Sequence, residues 1–194
     1  MRIASTEEIK EELRRVSFKS RFLTLLRSTI YILIIIAACA ILAAILFFPV
    51  FRVYSASMNP TLKDGQIIAA IKNAEIRRGD IVGFYYGNKL LIKRCIALEG
   101  DSVFIDLDGN VFVNDEYQQE LYLDPESKSY GKLTDIKMPY EVPANSIFVL
   151  GDSRKDFVDS RAAAMGPVDL ENVAGRMFLR VWPLKEITFF GPQI

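Results

Sequence analysis

Hydrophobic and polar positions alternate in two different rhythms along the chain, and the change of rhythm falls near residue 51. Between Ser28 and Phe51 no residue is charged and nearly all are apolar. As a helix, about 24 such residues rise about 36 Å, enough to cross a bilayer core of about 30 Å. With nothing polar interrupting the run, it is predicted to be a membrane anchor rather than a buried core helix. Two cleavable alternatives fit less well. A cut after "ACA" (Ala38 to Ala40) or at the lipoprotein-like box "IAAC" (Ile36 to Cys39) would leave "ILAAILFFPVF" as the new start. A mature secreted N-terminus is normally polar, and a secretory apolar core is shorter than this run.

Upstream, residues 5–27 carry a helical pattern: "STEE" (Ser5 to Glu8) fits a capping box, and Ile9, Leu13 and Val16 recur at helical spacing. The segment reads as a charged topogenic tail, able to form a short amphipathic helix on the inner membrane surface. Downstream, the texture shifts to short β runs punctuated by Gly, Asn, Asp and Pro. These are residues 66–73, 79–88, 89–98, 101–115, 145–152 and 175–183. "YYGNKL" and "LDGNV" have hairpin-turn chemistry. "DLDGN" lacks the remaining ligands of a calcium loop and reads as a turn. Residues 116–144 are polar and Pro-containing, an excursion from the sheet. The expected organisation is therefore a cytoplasmic tail (1–27), an anchor (28–51) and one mainly β outer domain (52–194).

Charge orients the anchor. Seven basic residues, from Arg2 to Arg27, precede it, and only Arg52 lies just after it. The positive-inside rule keeps the N-terminus in the cytoplasm and translocates the rest. Residues 53–194 hold 16 Lys/Arg against 20 Asp/Glu. A mildly acidic outer domain argues against a nucleic-acid partner. Cys39 lies in the anchor and Cys95 in the outer domain, so no internal disulfide is expected. Histidine is absent, which excludes His-based triads and HExxH zinc sites. No metal and no cofactor is called for.

A serine nucleophile in such a chain needs a lysine or carboxylate base. A free lysine, with a pKa of about 10.4, is protonated; burial disfavours the charged form and can lower the value by several units. A catalytic lysine is thus expected in an apolar stretch, as Lys93 is in "KLLIKRCIAL". On a strand, Leu91, Lys93 and Cys95 share one face, and Ile92, Arg94 and Ile96 the other. Just past the anchor, "SASMNP" (Ser55 to Pro60) offers two serines. A third stretch, "GDSRKDFVDSR" (Gly151 to Arg161), packs Asp152, Arg154, Asp159 and Arg161 behind an apolar run and suggests a loop tied by ion pairs.

In this order the three stretches resemble the boxes of the bacterial type I signal peptidases, membrane-bound Ser/Lys proteases. "SASMNPTL" is similar to their S-x-S-M-x-P-T-L box. "GDIVGF" and "LIKRCIALEGD" are similar to the next two, and "GDSRKDFVDSR" to the last, usually G-D-N-R-x-N-S-x-D-S-R. "VFVNDEYQQELYL" and "RVWP" also fit family segments. The resemblance covers nearly the whole chain from the anchor onward. It implies a coiled, mostly antiparallel β-sheet catalytic domain with one N-terminal transmembrane helix. Its apolar surface would touch membrane lipid, and its partners would be exported preproteins, cut from their signal peptides after small residues at −1 and −3. Ser57 matches the nucleophile, Lys93 the general base and Ser55 the hydroxyl that assists the oxyanion hole, with the Ser57 N–H as the other donor. Met58 matches a residue near the site; Asp152, Arg154, Asp159 and Arg161 match structural charges. Arg94 is expected to partner Asp152. A lysine base without any histidine points to the bacterial form, in the bacterial cell membrane.

The match departs from the pattern at Phe157, where the family usually has the serine that hydrogen-bonds the lysine. Ser153 and Asp156 replace asparagines, and Gln66 replaces a common aspartate. Phe157 is expected to desolvate Lys93, with Ser160 or a backbone carbonyl holding the amine. Two other readings compete: a non-catalytic, membrane-anchored assembly factor for surface proteins or pili, and a self-cleaving Ser/Lys repressor-type protease. The intact Ser57/Lys93 pair counts against the first, and the anchor and missing DNA-binding module against the second.

Overall fold

The structure is a computed structural model that describes residues 6–123 and 134–192. The chain divides into two compact units, meeting in sequence at Leu46 and Phe47. The first is one helix, α1 (Thr6–Phe47). Its stretch Arg21–Phe47, 27 residues, is long and apolar enough to cross a membrane, and its side chains are exposed throughout. The expected capping serine, Ser5, and the side chains of Ile9, Leu13 and Val16 lie outside the described residues. The helix stops at Phe47, before the apolar run does. Pro49 follows two residues on, and its ring cannot continue a helix. Val50 and Phe51, at the end of the uncharged run, belong to a strand instead.

The second unit is mainly antiparallel β. Its strands are β1 (Val50–Arg52), β2 (Ile67–Ile71), β3 (Ile81–Tyr86), β4 (Lys89–Ala97), β5 (Ser102–Ile105), β6 (Val111–Val113), β7 (Glu116–Tyr117), β8 (Tyr140–Glu141), β9 (Ser146–Leu150), β10 (Val168–Asp169), β11 (Val173–Trp182) and β12 (Thr188–Phe189). One sheet runs β1-β2-β11-β3-β4-β9-β10, with β12 also on β11. The other runs β7-β6-β5-β8. The excursion after β7 therefore returns to the smaller sheet as β8, although its residues 124–133 lie outside the described ones. Strand β11 pairs with β2, β3 and β12, with register shifts at Met177/Leu179, Arg180/Trp182 and Val173/Gly175. Such shifts bend a strand and increase its twist, which lets one long strand serve several neighbours.

Strand β4 lies between β3 and β9, and its side chains feed three hydrophobic clusters. Ile92 joins Val53, Met58, Leu62 and Ile81; Cys95 joins Val82, Phe84 and Val149; Ile96 and Ala97 join Val103, Phe148 and Leu150. Each large side chain buried this way contributes about 1.5–3 kcal/mol relative to exposure. Lys93 and Arg94 thus sit mid-strand in an element paired on both sides. Both are buried, which apolar strand neighbours dictate and which charged groups tolerate only with partners.

Candidate active site

The segment after β1 closes into a tight turn. Asn59 N–H donates to the Ala56 carbonyl (3.0 Å) and Leu62 N–H to that of Met58 (2.8 Å). Met58 and Leu62 are buried and pin the turn to the core. Ser57 is 6% exposed, whereas Ser55 stands at the surface. Ser57 N–H donates to Ser55 Oγ at 3.0 Å. The two groups matched to the oxyanion hole are therefore hydrogen-bonded to one another.

Strand register brings in the amine. Lys93 stands opposite Val82 of β3, and Arg94 opposite Ile81 on β3 and Leu150 on β9. Alternation sends the two charges to opposite faces. Lys93, 1% exposed, reaches a cavity of about 440 Å³ that Ser55, Ser57, Leu91, Asp156 and Val158 also line. Its Nζ donates to Asp156 Oδ2 at 3.3 Å. Gly151, directly after β9, fits between the parts: a Cβ there would lie 2.7 Å from the Ser57 carbonyl oxygen and 3.2 Å from Lys93 Nζ. Serine and lysine thus flank one point, and only a residue without a side chain can occupy it.

The loop carrying Gly151 is held by paired charges. Arg94 grips Asp152 with two bonds, Nε to Oδ1 (2.9 Å) and Nη2 to Oδ2 (2.6 Å), while its Nη1 donates to the Gly79 carbonyl (2.9 Å). The Tyr122 ring lies under the same guanidinium, 3.8 Å from its centre. Burial, and then the Glu120 carboxylate, push the Tyr122 phenol well above its ordinary range. Arg161 makes a second fork to Asp159, at 2.9 and 2.8 Å, and its Nη2 also donates to the carbonyls of Arg154 (3.1 Å) and Asp156 (2.7 Å). Arg154 donates to the Gly151 carbonyl (3.0 Å) and pairs with buried Glu120. Finally, Ser153 N–H donates to the Ser57 carbonyl at 2.9 Å, joining this loop to the serine turn.

A larger cavity of about 640 Å³ adjoins the first and shares Ser55, Ser57, Lys89 and Leu91 with it. Val53, Met58, Leu90 and Ile92 give it an apolar wall. A hydroxyl at the junction of an apolar groove and a buried amine can attack a carbonyl bound along the groove, provided the amine accepts its proton. Among the described residues no cluster of His, Cys, Asp or Glu has the makings of a metal site.

Two expectations need correction. Ser160 does not hold the lysine: its Oγ accepts from Val149 N–H (3.0 Å), closing the loop onto β9. Phe157 sets its ring against the Arg161 guanidinium, 5.2 Å from the ring centre, and is not among the residues lining the lysine's cavity. Asp156 is the partner that sequence reasoning missed. Its signal was present, an acid where the resembled box has asparagine, next to the anomalous Phe157. The other departures prove undemanding. Ser153 contributes its backbone N–H, which any residue but proline supplies, and Gln66 accepts from Lys63 N–H (3.0 Å) and donates to Glu186 (2.9 Å).

The family described as "Signal peptidase, peptidase S26" matches residues 26–182. Signal peptidase I of Bacillus licheniformis is 35% identical over 166 residues, which cover 80% of this chain and 88% of that protein. Signal peptidase I U of Bacillus subtilis is 32% identical over 164 residues, covering 80% and 87% respectively. A crystal structure of a signal peptidase I from Enterococcus faecalis, 27% identical, covers 53% of this chain and 97% of that one with a TM-score of 0.45.

Proposed function

Because the chain belongs to the signal peptidases of the peptidase S26 family, we propose that it removes N-terminal signal peptides from exported preproteins by a Ser57/Lys93 dyad. The observation that carries this reading is that Ser57 and Lys93 line one cavity, with the Ser57 carbonyl and Lys93 Nζ both close around Gly151. Having first released its ammonium proton, Lys93 takes the Ser57 proton as Oγ bonds to the scissile carbonyl carbon. The resulting ammonium then protonates the leaving amine as the C–N bond breaks, and water repeats the sequence to release the acyl group.

The carbonyl oxygen gains negative charge during attack. Ser57 N–H, which rests on Ser55 Oγ, turns to that oxygen, and the Ser55 hydroxyl rotates from acceptor to donor. Each donor contributes about 3–4 kcal/mol to transition-state stabilisation. The apolar cavity takes the residues before the scissile bond. Its wall of Val53, Met58 and Ile92, rimmed by the two serines, suits small side chains at −1 and −3. Among the described residues, helix α1 is read as the membrane span, with the N-terminus cytoplasmic and the β unit translocated to the other side.

The test is cleavage of a secretory preprotein in detergent or liposomes, with the product's new N-terminus sequenced. Wild type should cut after a small residue. Ser57→Ala and Lys93→Ala should each abolish cleavage, and persistence of activity in either sinks the dyad.

A further inference from the structure

The ion pair between Lys93 and Asp156 has no counterpart in the resembled box, where a serine meets the lysine. Its construction is specific. Asp156 N–H donates to the Ser153 carbonyl at 3.2 Å, and the Asp156 carbonyl accepts from Arg161 Nη2 at 2.7 Å. Arg161 is in turn forked to Asp159 in the buried interior. Of the two carboxylate oxygens, Oδ1 accepts from Val158 N–H at 3.3 Å and Oδ2 from Lys93 Nζ at 3.3 Å. The backbone of Asp156 is thus tied at both ends, one oxygen fixes the carboxylate plane, and the other faces the amine. The Asp156 side chain is about one-third exposed, while Lys93 is buried, so the carboxylate lies between the amine and solvent.

We infer that Asp156 is a positioning residue that extends the dyad to a Ser57–Lys93–Asp156 triad, taking over the role left open by Phe157. The inference rests on the dyad reading. A lysine side chain has four rotatable bonds, and a fixed acceptor at its tip selects the rotamer that points Nζ into the cavity. The carboxylate also acts during the reaction. Moving the Ser57 proton to the Lys93 amine creates an ammonium, and a neighbouring negative charge favours that product. The aspartate of a serine–histidine–aspartate triad stabilises its imidazolium in the same manner and stays ionised throughout. Here the proton passes from Oγ to Nζ and on to the leaving nitrogen, and Asp156 neither gains nor loses one. An aspartate suits this place because both of its oxygens accept, whereas asparagine has one acceptor and would give up Val158 or Lys93.

The experiment measures kcat and KM for preprotein cleavage by the full chain in detergent, on the alkaline plateau of the rate. Wild type, Asp156→Ala, Asp156→Asn, Ser57→Ala and Lys93→Ala are compared. Asp156→Ala should lower kcat by about 100-fold, the scale of a misplaced catalytic group, with KM within about twofold. Added formate or acetate should restore much of that loss in Asp156→Ala and none in Lys93→Ala, an effect that a purely architectural role would not produce. Should Asp156→Ala fail to fold, Asp156→Asn keeps the residue's shape and should show a smaller kcat loss with the same KM. Full kcat in the alanine variant, or a loss confined to KM and indifferent to carboxylate, overturns the inference. Where the alanine variant is unfolded, full kcat in Asp156→Asn does the same. Activity in Ser57→Ala or Lys93→Ala overturns the dyad with it. Inactive dyad variants beside a fully active Asp156→Ala remove this inference alone.

Discussion

Arg94 and Asp152, 58 residues apart, face each other as a two-point ion pair with both side chains about 1% exposed. The pair fixes the start of the charged loop to the strand that carries Lys93, so each partner is buried on the assumption that the other is present. Removing one leaves a charge in the interior, which typically costs about 3–5 kcal/mol. Arg94→Ala and Asp152→Ala should each lower the unfolding midpoint steeply. Arg94→Lys should recover little, because an ammonium cannot make both bonds to Asp152 while also reaching the Gly79 carbonyl. Thermal unfolding of the detergent-solubilised chain measures this, and a lysine variant as stable as wild type would contradict it.

Gly151 offers a sharper probe of the site itself. A methyl group there would come 2.7 Å from the Ser57 carbonyl oxygen and 3.2 Å from Lys93 Nζ, so the serine turn and the amine must move apart. A displacement near 1 Å is enough to cost about 100-fold in rate. Gly151→Ala should therefore lose cleavage by about that factor, with a loss of stability of about 1–3 kcal/mol, below that of the Arg94 variants. Parallel rate and unfolding measurements separate the two. An active Gly151→Ala enzyme would show that serine and lysine need not meet at this point.

The three stretches around Ser57, Lys93 and Gly151 are legible in the sequence, because each is a local motif on a turn, a strand or a strand end. So are β2, β3, β4, β9 and β11, whose apolar runs are bounded by turn residues. What pattern reading could not supply is pairing across distance. Lys93 and Asp156 are 63 residues apart and Arg154 and Glu120 34 apart, and no periodicity links them. Glu120 lies in a polar excursion from the sheet, yet it is 5% exposed and paired with buried Arg154. The end of α1 was legible only in hindsight: Pro49 is a local stop signal inside a run whose hydrophobicity argues for continuing.

Asp101 gives the β unit an acid-sensitive joint. Burial alone would raise its carboxyl, but Arg78, the Leu98 N–H and the Asn114 amide all donate to it and hold it below the ordinary aspartate range. A folded-state value below the unfolded one, about 3.9, means that the stabilisation is complete above that pH. It is lost as pH falls through the lower folded-state value. Asp101→Asn should destabilise the chain near neutrality by about 1.5–3 kcal/mol, the range for a hydrogen-bonded charge. The gap from wild type should narrow as the pH falls below about 4. Unfolding midpoints recorded from pH 7 to pH 3 for both proteins check the sign, and a gap that widens in acid would refute it.

Phe157 is the departure from the resembled box that a reader of the sequence would suspect first. With Lys93 met by Asp156, the ring is not needed at the amine, and it rests against the Arg161 guanidinium. A partly desolvated cation–π contact contributes about 0.5–2 kcal/mol. Phe157→Ser should thus lower stability by about that amount and change kcat/KM by less than about tenfold, either way. A rise of several hundredfold on restoring serine would mean that the carboxylate does not support the lysine as a hydroxyl does. It would also mean that this chain is an impaired enzyme whose Asp156 pair holds the site shut. The decisive comparison is kcat/KM of wild type, Phe157→Ser and the double variant with Asp156→Asn. If Asp156 is the support, the single serine variant changes little, and the double variant tests whether a hydroxyl at position 157 can take over the amine once the carboxylate is gone.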